Sequence, residues 1–170
     1  MNLKKLIRDV PDFPKAGIIF KDITPLLKNP KGFKSAINLM AKKYKDKNID
    51  KIVSMESRGF IFGSALSLKL GCGFVPVRKK GKLPYKTIRE EYQLEYGTDI
   101  LEMHTDAIVK DENVLIVDDV LATGGTAKAV CSLIEKLGGH VAGLCFLLEL
   151  SFLNPQEKLK GYEIFSLIKY

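Results

Sequence analysis

Cysteine is scarce in this 170-residue chain: Cys72, Cys131 and Cys145 make an odd three, and no two form a C-x-x-C pair. That spacing supports neither a disulfide framework nor a zinc site, so a reducing cytoplasm is the expected setting and the thiols read as small core residues. No apolar run reaches the ~20 residues that a membrane helix needs, and no membrane partner is expected. The opening M-N-L-K-K-L-I-R-D has neither the apolar core nor the cleavage pattern of a secretory leader. The pattern G-x-x-x-x-G-K-[ST] is absent, which argues against nucleotide hydrolysis. There is no internal repeat and no low-complexity segment. What remains is 46% hydrophobic and 28% charged, enough for one well-buried core over residues 1–170 and too short for two comfortable domains.

Formal net charge is +7 and the sequence pI is about 9.2, which suits either plain solubility or a polyanionic partner. Much of the excess, Lys42, Lys43, Lys45, Lys47 and Lys51, reads as the wet face of a helix and the loop after it. No reader motif or aromatic-rich basic strip accompanies these lysines, so no nucleic acid partner is expected. A second basic cluster, Arg78-Lys79-Lys80-Gly81-Lys82, directly follows a predicted strand.

The stretch around which the chain is organised is Asn113 to Ala127, N-V-L-I-V-D-D-V-L-A-T-G-G-T-A. Val114 to Val117 is an unbroken branched run, the pattern of a parallel strand buried on both faces. It stops at Asp118 and Asp119, read as the carboxyl end of the strand. Ala122, Thr123, Gly124, Gly125 and Thr126 follow, small residues that let the backbone approach a ligand. Ala127, Val130, Ile134 and Leu137 then repeat at helical spacing up to Gly138. Strand, glycine-rich loop and helix amino-terminus together hold a phosphate, through free N–H groups and the positive helix end. Two carboxylates beside it can accept hydrogen bonds from vicinal hydroxyls, or hold a metal ion through water. A sugar phosphate satisfies both demands.

Around this centre the spacing predicts a short starting helix on Leu3, Leu6, Ile7 and Val10, broken by Pro11-Asp12-Phe13-Pro14. A strand or extended arm follows over 17–23. Asn29-Pro30 opens a helix carrying Phe33, Ile37, Met40 and Tyr44. Strands at Lys51–Met55 and Gly73–Arg78 flank a helix at Phe60–Leu70. Residues 85–95 and 98–104 pair as a charged hairpin about Tyr96-Gly97, read as an exposed, mobile flap. Strands at His140–Glu149 and Tyr162–Ile168 complete an α/β pattern with a parallel sheet and helices on both faces. Ligands bind beyond the carboxyl ends of such strands. Polar motifs stand at three of those ends, after Met55, Val77 and Val117.

Val114 to Ala127 closely resembles the 5-phosphoribosyl 1-diphosphate motif of the type I phosphoribosyltransferases, and the chain from near Asp9 onward resembles the branch of that family that uses adenine. The resemblance implies the family's fold: a central, mostly parallel sheet flanked by helices, with a small amino-terminal hood (roughly 1–28) and a flexible β-hairpin flap (roughly 83–104). It implies transfer of the phosphoribosyl group to adenine with Mg2+ carried through substrate and water, no direct metal ligand, and a homodimer in which Arg78 reaches the partner's site. Asp118 and Asp119 with Ala122, Thr123, Gly124, Gly125 and Thr126 would hold the ribose 5-phosphate. Ser57, Arg58, Arg78, Lys79 and Lys82 would hold the diphosphate, with unusual backbone geometry expected around Ser57 and Arg58. Ile19, Phe20, Lys21 and Leu150 would contact the base. Glu95 would handle the purine proton beside the flap residue Tyr96, completing a catalytic set of Glu95, Asp118, Asp119 and Arg58. Two alternatives stay open: another purine base (hypoxanthine, guanine or xanthine), and a non-catalytic regulator that senses the same sugar diphosphate.

Overall fold

The computed structural model describes residues 2–93 and 97–170. The chain divides into two compact units, Met1–Leu39 and Met40–Tyr170. In the first, a 3-10 turn at Leu3–Leu6 is capped by the Asn2 side chain. Strands β1 (Arg8–Pro11) and β2 (Ile19–Asp22) follow and pair antiparallel. The expected starting helix is therefore a single turn, and Val10 belongs to a strand. The register explains the difference. Arg8 and Asp9 stand opposite Asp22 and Lys21, and both pairs close as salt bridges at 2.5 and 2.7 Å, cross-strand attractions that a longer helix would forfeit. After the short α1 (Thr24–Leu27), Asn29 accepts the Gly32 N–H at 2.9 Å and opens α2 (Pro30–Tyr44), as its cap-and-proline sequence predicts.

The second unit is built on a seven-stranded sheet. Its strands are β3 (Lys51–Met55), β4 (Gly73–Lys79), β5 (Thr87–Gln93), β6 (Thr98–His104), β7 (Asn113–Leu121), β8 (His140–Glu149) and β9 (Ile164–Lys169), in the spatial order β5-β6-β4-β3-β7-β8-β9. The pairs β4/β3, β3/β7, β7/β8 and β8/β9 are parallel. The pairs β4/β6 and β5/β6 are antiparallel, so the sheet is mostly parallel, as expected. The central strands β3 and β7 are buried along nearly their whole length, with Ile52, Val53, Val114, Leu115, Ile116 and Val117 fully covered. Helix α3 (Gly59–Leu70) lies against β3, β4 and β7, and α4 (Gly125–Lys136) against β5, β7 and β8. Val130, Cys131 and Ile134 of α4 enter the core, while Lys128, Glu135 and Lys136 stay outside.

Two expectations need correction. Strand β7 does not end at the carboxylates but runs on to Leu121, because β8 continues beside it, pairing Asp118 with Phe146 and Leu121 with Glu149. The hairpin is not an exposed arm along its length. Leu101, Glu102 and Met103 are buried, and Arg78 and Lys79 of β4 pair with Glu102 and Leu101 of β6, so its stem is a sheet edge.

Candidate active site

Strand β3 makes its last rung with β7 at Ser54 and Val117. Beyond that point β7 keeps only β8 as a neighbour, and the open edge is where the paired acids stand. Asp118 Oδ1 accepts the Asp119 N–H at 2.9 Å and packs on the first turn of α3, where a Cβ on Gly59 would come within 2.5 Å of it. Glycine at 59 is thus a condition of the acid's position. Burial, followed by the charge of Asp119, pushes the Asp118 carboxyl well above its ordinary value of 3.8. Asp119, 5% exposed, turns its Oδ2 to Arg58 Nε at 2.5 Å. Successive side chains of a strand point to opposite faces, so the two acids meet different surroundings: Asp118 lines the cavity beside it, and Asp119 is held by a guanidinium.

That cavity is a hollow of about 90 Å³ lined by Asp118, Ala122, Thr123, Gly124 and Thr126, over a floor of Met55 and Phe146. Gly124 caps α4 in the left-handed region at φ 81°, and a Cβ there would sit 3.0 Å from the Pro155 carbonyl. Only glycine meets both conditions without strain. The first amides of α4 have no helical acceptor, and no acidic residue in its first turn offsets the positive end. The ribose 5-phosphate candidates Asp118, Ala122, Thr123, Gly124 and Thr126 therefore share one hollow. Gly125 begins the helix beside it, close to the Gln93 carbonyl and the Tyr92 ring of the hairpin stem.

The diphosphate candidates are brought to the neighbouring loops, and most are occupied by other groups. The Glu56–Ser57 peptide bond is cis, the unusual geometry expected there, and Ser57 and Arg58 are exposed. Lys82 Nζ donates to Glu56 Oε2 at 2.5 Å, and Arg78 Nε lies 3.4 Å from Glu56 Oε1. Lys79 Nζ of β4 reaches Asp99 of β6 at 2.9 Å, and that contact raises its pKa. Burial pushes the Glu56 carboxyl up, but Lys82, the Lys79 N–H and Arg78 outweigh it and hold Glu56 below its ordinary 4.5. Sequence reasoning did not single out Glu56, Asp99 or Glu102, whose Oε2 accepts the Gly81 N–H at 2.9 Å. No sequence signal joins Glu56 to the basic loop, because the two meet only where β3 and β4 lie side by side.

The base candidates divide between the two units. In the first, Phe20 makes an edge contact with Phe13, ring centroids 5.2 Å apart, Lys21 Nζ donates to Asp9, and Ile19 is 55% exposed. In the second, Leu150 follows β8, its N–H donating to the Leu121 carbonyl at 2.9 Å. Glu95 and Tyr96 lie outside the described residues.

Residues 22–166 match the family model of the phosphoribosyl transferase domain. The chain is 61% identical over 170 residues to the adenine phosphoribosyltransferase of Pseudothermotoga lettingae, covering all of both chains. Its fold superposes on the crystal structure of adenine phosphoribosyltransferase from Thermoanaerobacter pseudethanolicus with a TM-score of 0.96 and 55% identity, over 99% of this chain and 98% of that one. The Saccharomyces cerevisiae enzyme of the same name, solved with an imino-altritol bisphosphate and adenine, superposes with a TM-score of 0.92 at 43% identity, over 97% and 96% of the two chains.

Proposed function

The chain belongs to the phosphoribosyl transferase family, and from that premise we infer that it transfers the 5-phosphoribosyl group of 5-phosphoribosyl 1-diphosphate to adenine in purine salvage, giving AMP and diphosphate. The observation that carries this reading is the hollow beside β7, where a carboxylate and an unneutralised helix amino-terminus face one small space. A sugar hydroxyl and a phosphate ester need those two partners side by side.

An adenine ring nitrogen forms a bond to the anomeric carbon while the bond from that carbon to diphosphate oxygen breaks, the electron pair leaving with diphosphate. Positive charge develops on the ribose ring, and we assign its stabilisation to Asp118 and Asp119. The amides of residues 124–126 and the hydroxyls of Thr123 and Thr126 take the 5′-phosphate. Ser57, Arg58, Arg78, Lys79 and Lys82 take the diphosphate, and Ile19, Phe20, Lys21 and Leu150 the base. Magnesium, held beside Asp118 and Asp119 through substrate and water, would supply further positive charge at the leaving group. The donor set here, two adjacent carboxylates of which one is already paired with Arg58, fits an ion held through substrate and water. Glu95, with Tyr96 beside it, is assigned the purine proton on the strength of the family resemblance. Glu95→Gln is expected to slow turnover and leave sugar-diphosphate binding intact; a wild-type rate would remove Glu95 from the mechanism.

Helix α3 supports a homodimer. Its outer stripe, Ile61, Ser64 and Leu68, is exposed, Leu68 to 86%, and a second copy would cover it. Sedimentation velocity at two protein concentrations reads the subunit number. Three free thiols suit a reducing cytoplasm, and no described helix is long and apolar enough to cross a membrane. The deciding experiment supplies purified protein, Mg2+ and 5-phosphoribosyl 1-diphosphate with each purine in turn and identifies the nucleotide formed. AMP is the expected product. IMP, GMP or XMP formed in preference would move the assignment to another base, and no diphosphate release with any base would favour a regulator.

A further inference from the structure

Glu56 lies between the loops that follow β3 and β4, with a side chain only 10% exposed. One carboxylate gathers three groups there. Its Oε1 accepts the Lys79 N–H at 2.7 Å, its Oε2 accepts from Lys82 Nζ at 2.5 Å, and Arg78 Nε stands 3.4 Å from Oε1. Arg78 Nη1 also donates to the main-chain carbonyl of Lys82 at 3.4 Å, which holds the guanidinium against the loop that carries the second cation. Both are among the residues assigned to diphosphate.

We propose that Glu56 is the resting counter-ion of the diphosphate cations: it holds Lys82 and Arg78 until diphosphate takes them, and its charge sets how tightly diphosphate is held. The proposal rests on the reading of residues 57–58 and 78–82 as the diphosphate site. Diphosphate brings several negative charges to cations that already have one negative partner. It must draw Lys82 away from Glu56 or bind it beside a like charge, and either weakens its hold. Loose retention has a use, since diphosphate is a product that has to leave. A second acid also holds the loop, Glu102 Oε2 accepting the Gly81 N–H at 2.9 Å, and a glutamine at 56 keeps an acceptor for the Lys79 N–H.

The test is calorimetric titration of magnesium diphosphate into the full chain as wild type, Glu56→Gln, Lys82→Ala and the double variant, with ribose 5-phosphate as a second ligand and a thermal melt for each protein. Glu56→Gln is expected to bind diphosphate roughly two- to five-fold more tightly, the range of a partly exposed ion pair, and ribose 5-phosphate as the wild type does. The gain should shrink when Lys82→Ala is also present, because the two residues act on one contact. Diphosphate bound equally or more weakly by Glu56→Gln, or a full gain persisting without Lys82, would overturn the proposal. A failure of the underlying reading looks different: Lys82→Ala alone would then leave diphosphate affinity at the wild-type value, and the proposal would fall with it.

Discussion

The two halves of this site are made in different ways. Around residues 122–126 the candidate ligand groups are main-chain amides, hydroxyls and a helix end, fixed by a cap glycine at φ 81° whose Cβ would crowd the Pro155 carbonyl at 3.0 Å. Around residues 56–58 and 78–82 they are long charged side chains, and the charges are paired: Arg58 with Asp119, Lys82 and Arg78 with Glu56, Lys79 with Asp99. On the proposed assignment, the first region would take its ligand without breaking an ion pair, whereas the second would have to exchange partners. A backbone cradle would then suit a group that stays on one molecule through the reaction, the 5′-phosphate, and exchangeable ion pairs a group that departs, diphosphate.

Substitutions should therefore act differently in the two regions. The largest effect is expected at their junction, Asp119→Asn, which removes the charge assigned to the ribose and releases Arg58. Because Arg58 is 45% exposed and can be solvated, we expect a loss in kcat on the order of 100-fold or more with little change in melting temperature. An unchanged rate at saturating substrate would refute the role. The cradle should break through shape. Gly124→Ala forces a left-handed backbone on alanine and pushes its Cβ to 3.0 Å from Pro155 O, a strain of about 1–3 kcal/mol. Ribose 5-phosphate affinity should fall about ten-fold or more while diphosphate affinity holds, as titration of both ligands would show. Equal losses for both would mean that the two halves are not independent.

How much of this was legible in the sequence follows the same division. The β7–loop–α4 stretch could be read because its chemistry is local: a buried run, a cap and small residues within fifteen positions. The elements whose signals are periodic, α2, α3 and β8, fall where the spacing places them. The end of β7 could not be read, because it depends on β8 running alongside past β3, a fact about neighbours rather than about residues 118–121. The hairpin misled for a related reason. Thr87–Gln93 carries an arginine and two glutamates at 89–91, which reads as an exposed arm, yet β6 buries Leu101 and Met103 against the core. The partners of the basic cluster were equally hidden, since Glu56 and Lys82 are twenty-six positions apart and meet only because β3 and β4 lie side by side.

The smallest expected effect separates the two regions by sign. In the cradle, Asp118 has its carboxyl raised by burial and by Asp119; beside the basic loop, Glu56 is held low by Lys82, the Lys79 N–H and Arg78 in spite of its burial. A raised carboxyl means that the folded chain binds the proton more tightly than the unfolded one, so the Asp118 contribution to stability falls as pH rises from 3.8 toward its folded value. A lowered carboxyl does the reverse. The Glu56 contribution is present above 4.5 and is lost as pH falls through the folded value below it. Melting temperatures across pH 3 to 7 should therefore show Asp118→Asn gaining on the wild type as pH rises and Glu56→Gln losing ground over the lower part of that range. Lys82 is 46% exposed, so solvent screening keeps the Glu56 contribution to a few tenths of a kcal/mol up to about 1. Parallel curves for the two variants would mean that these carboxylates sit in equivalent surroundings, and the contrast between a fixed cradle and an exchangeable set of ion pairs would fail at its chemical root.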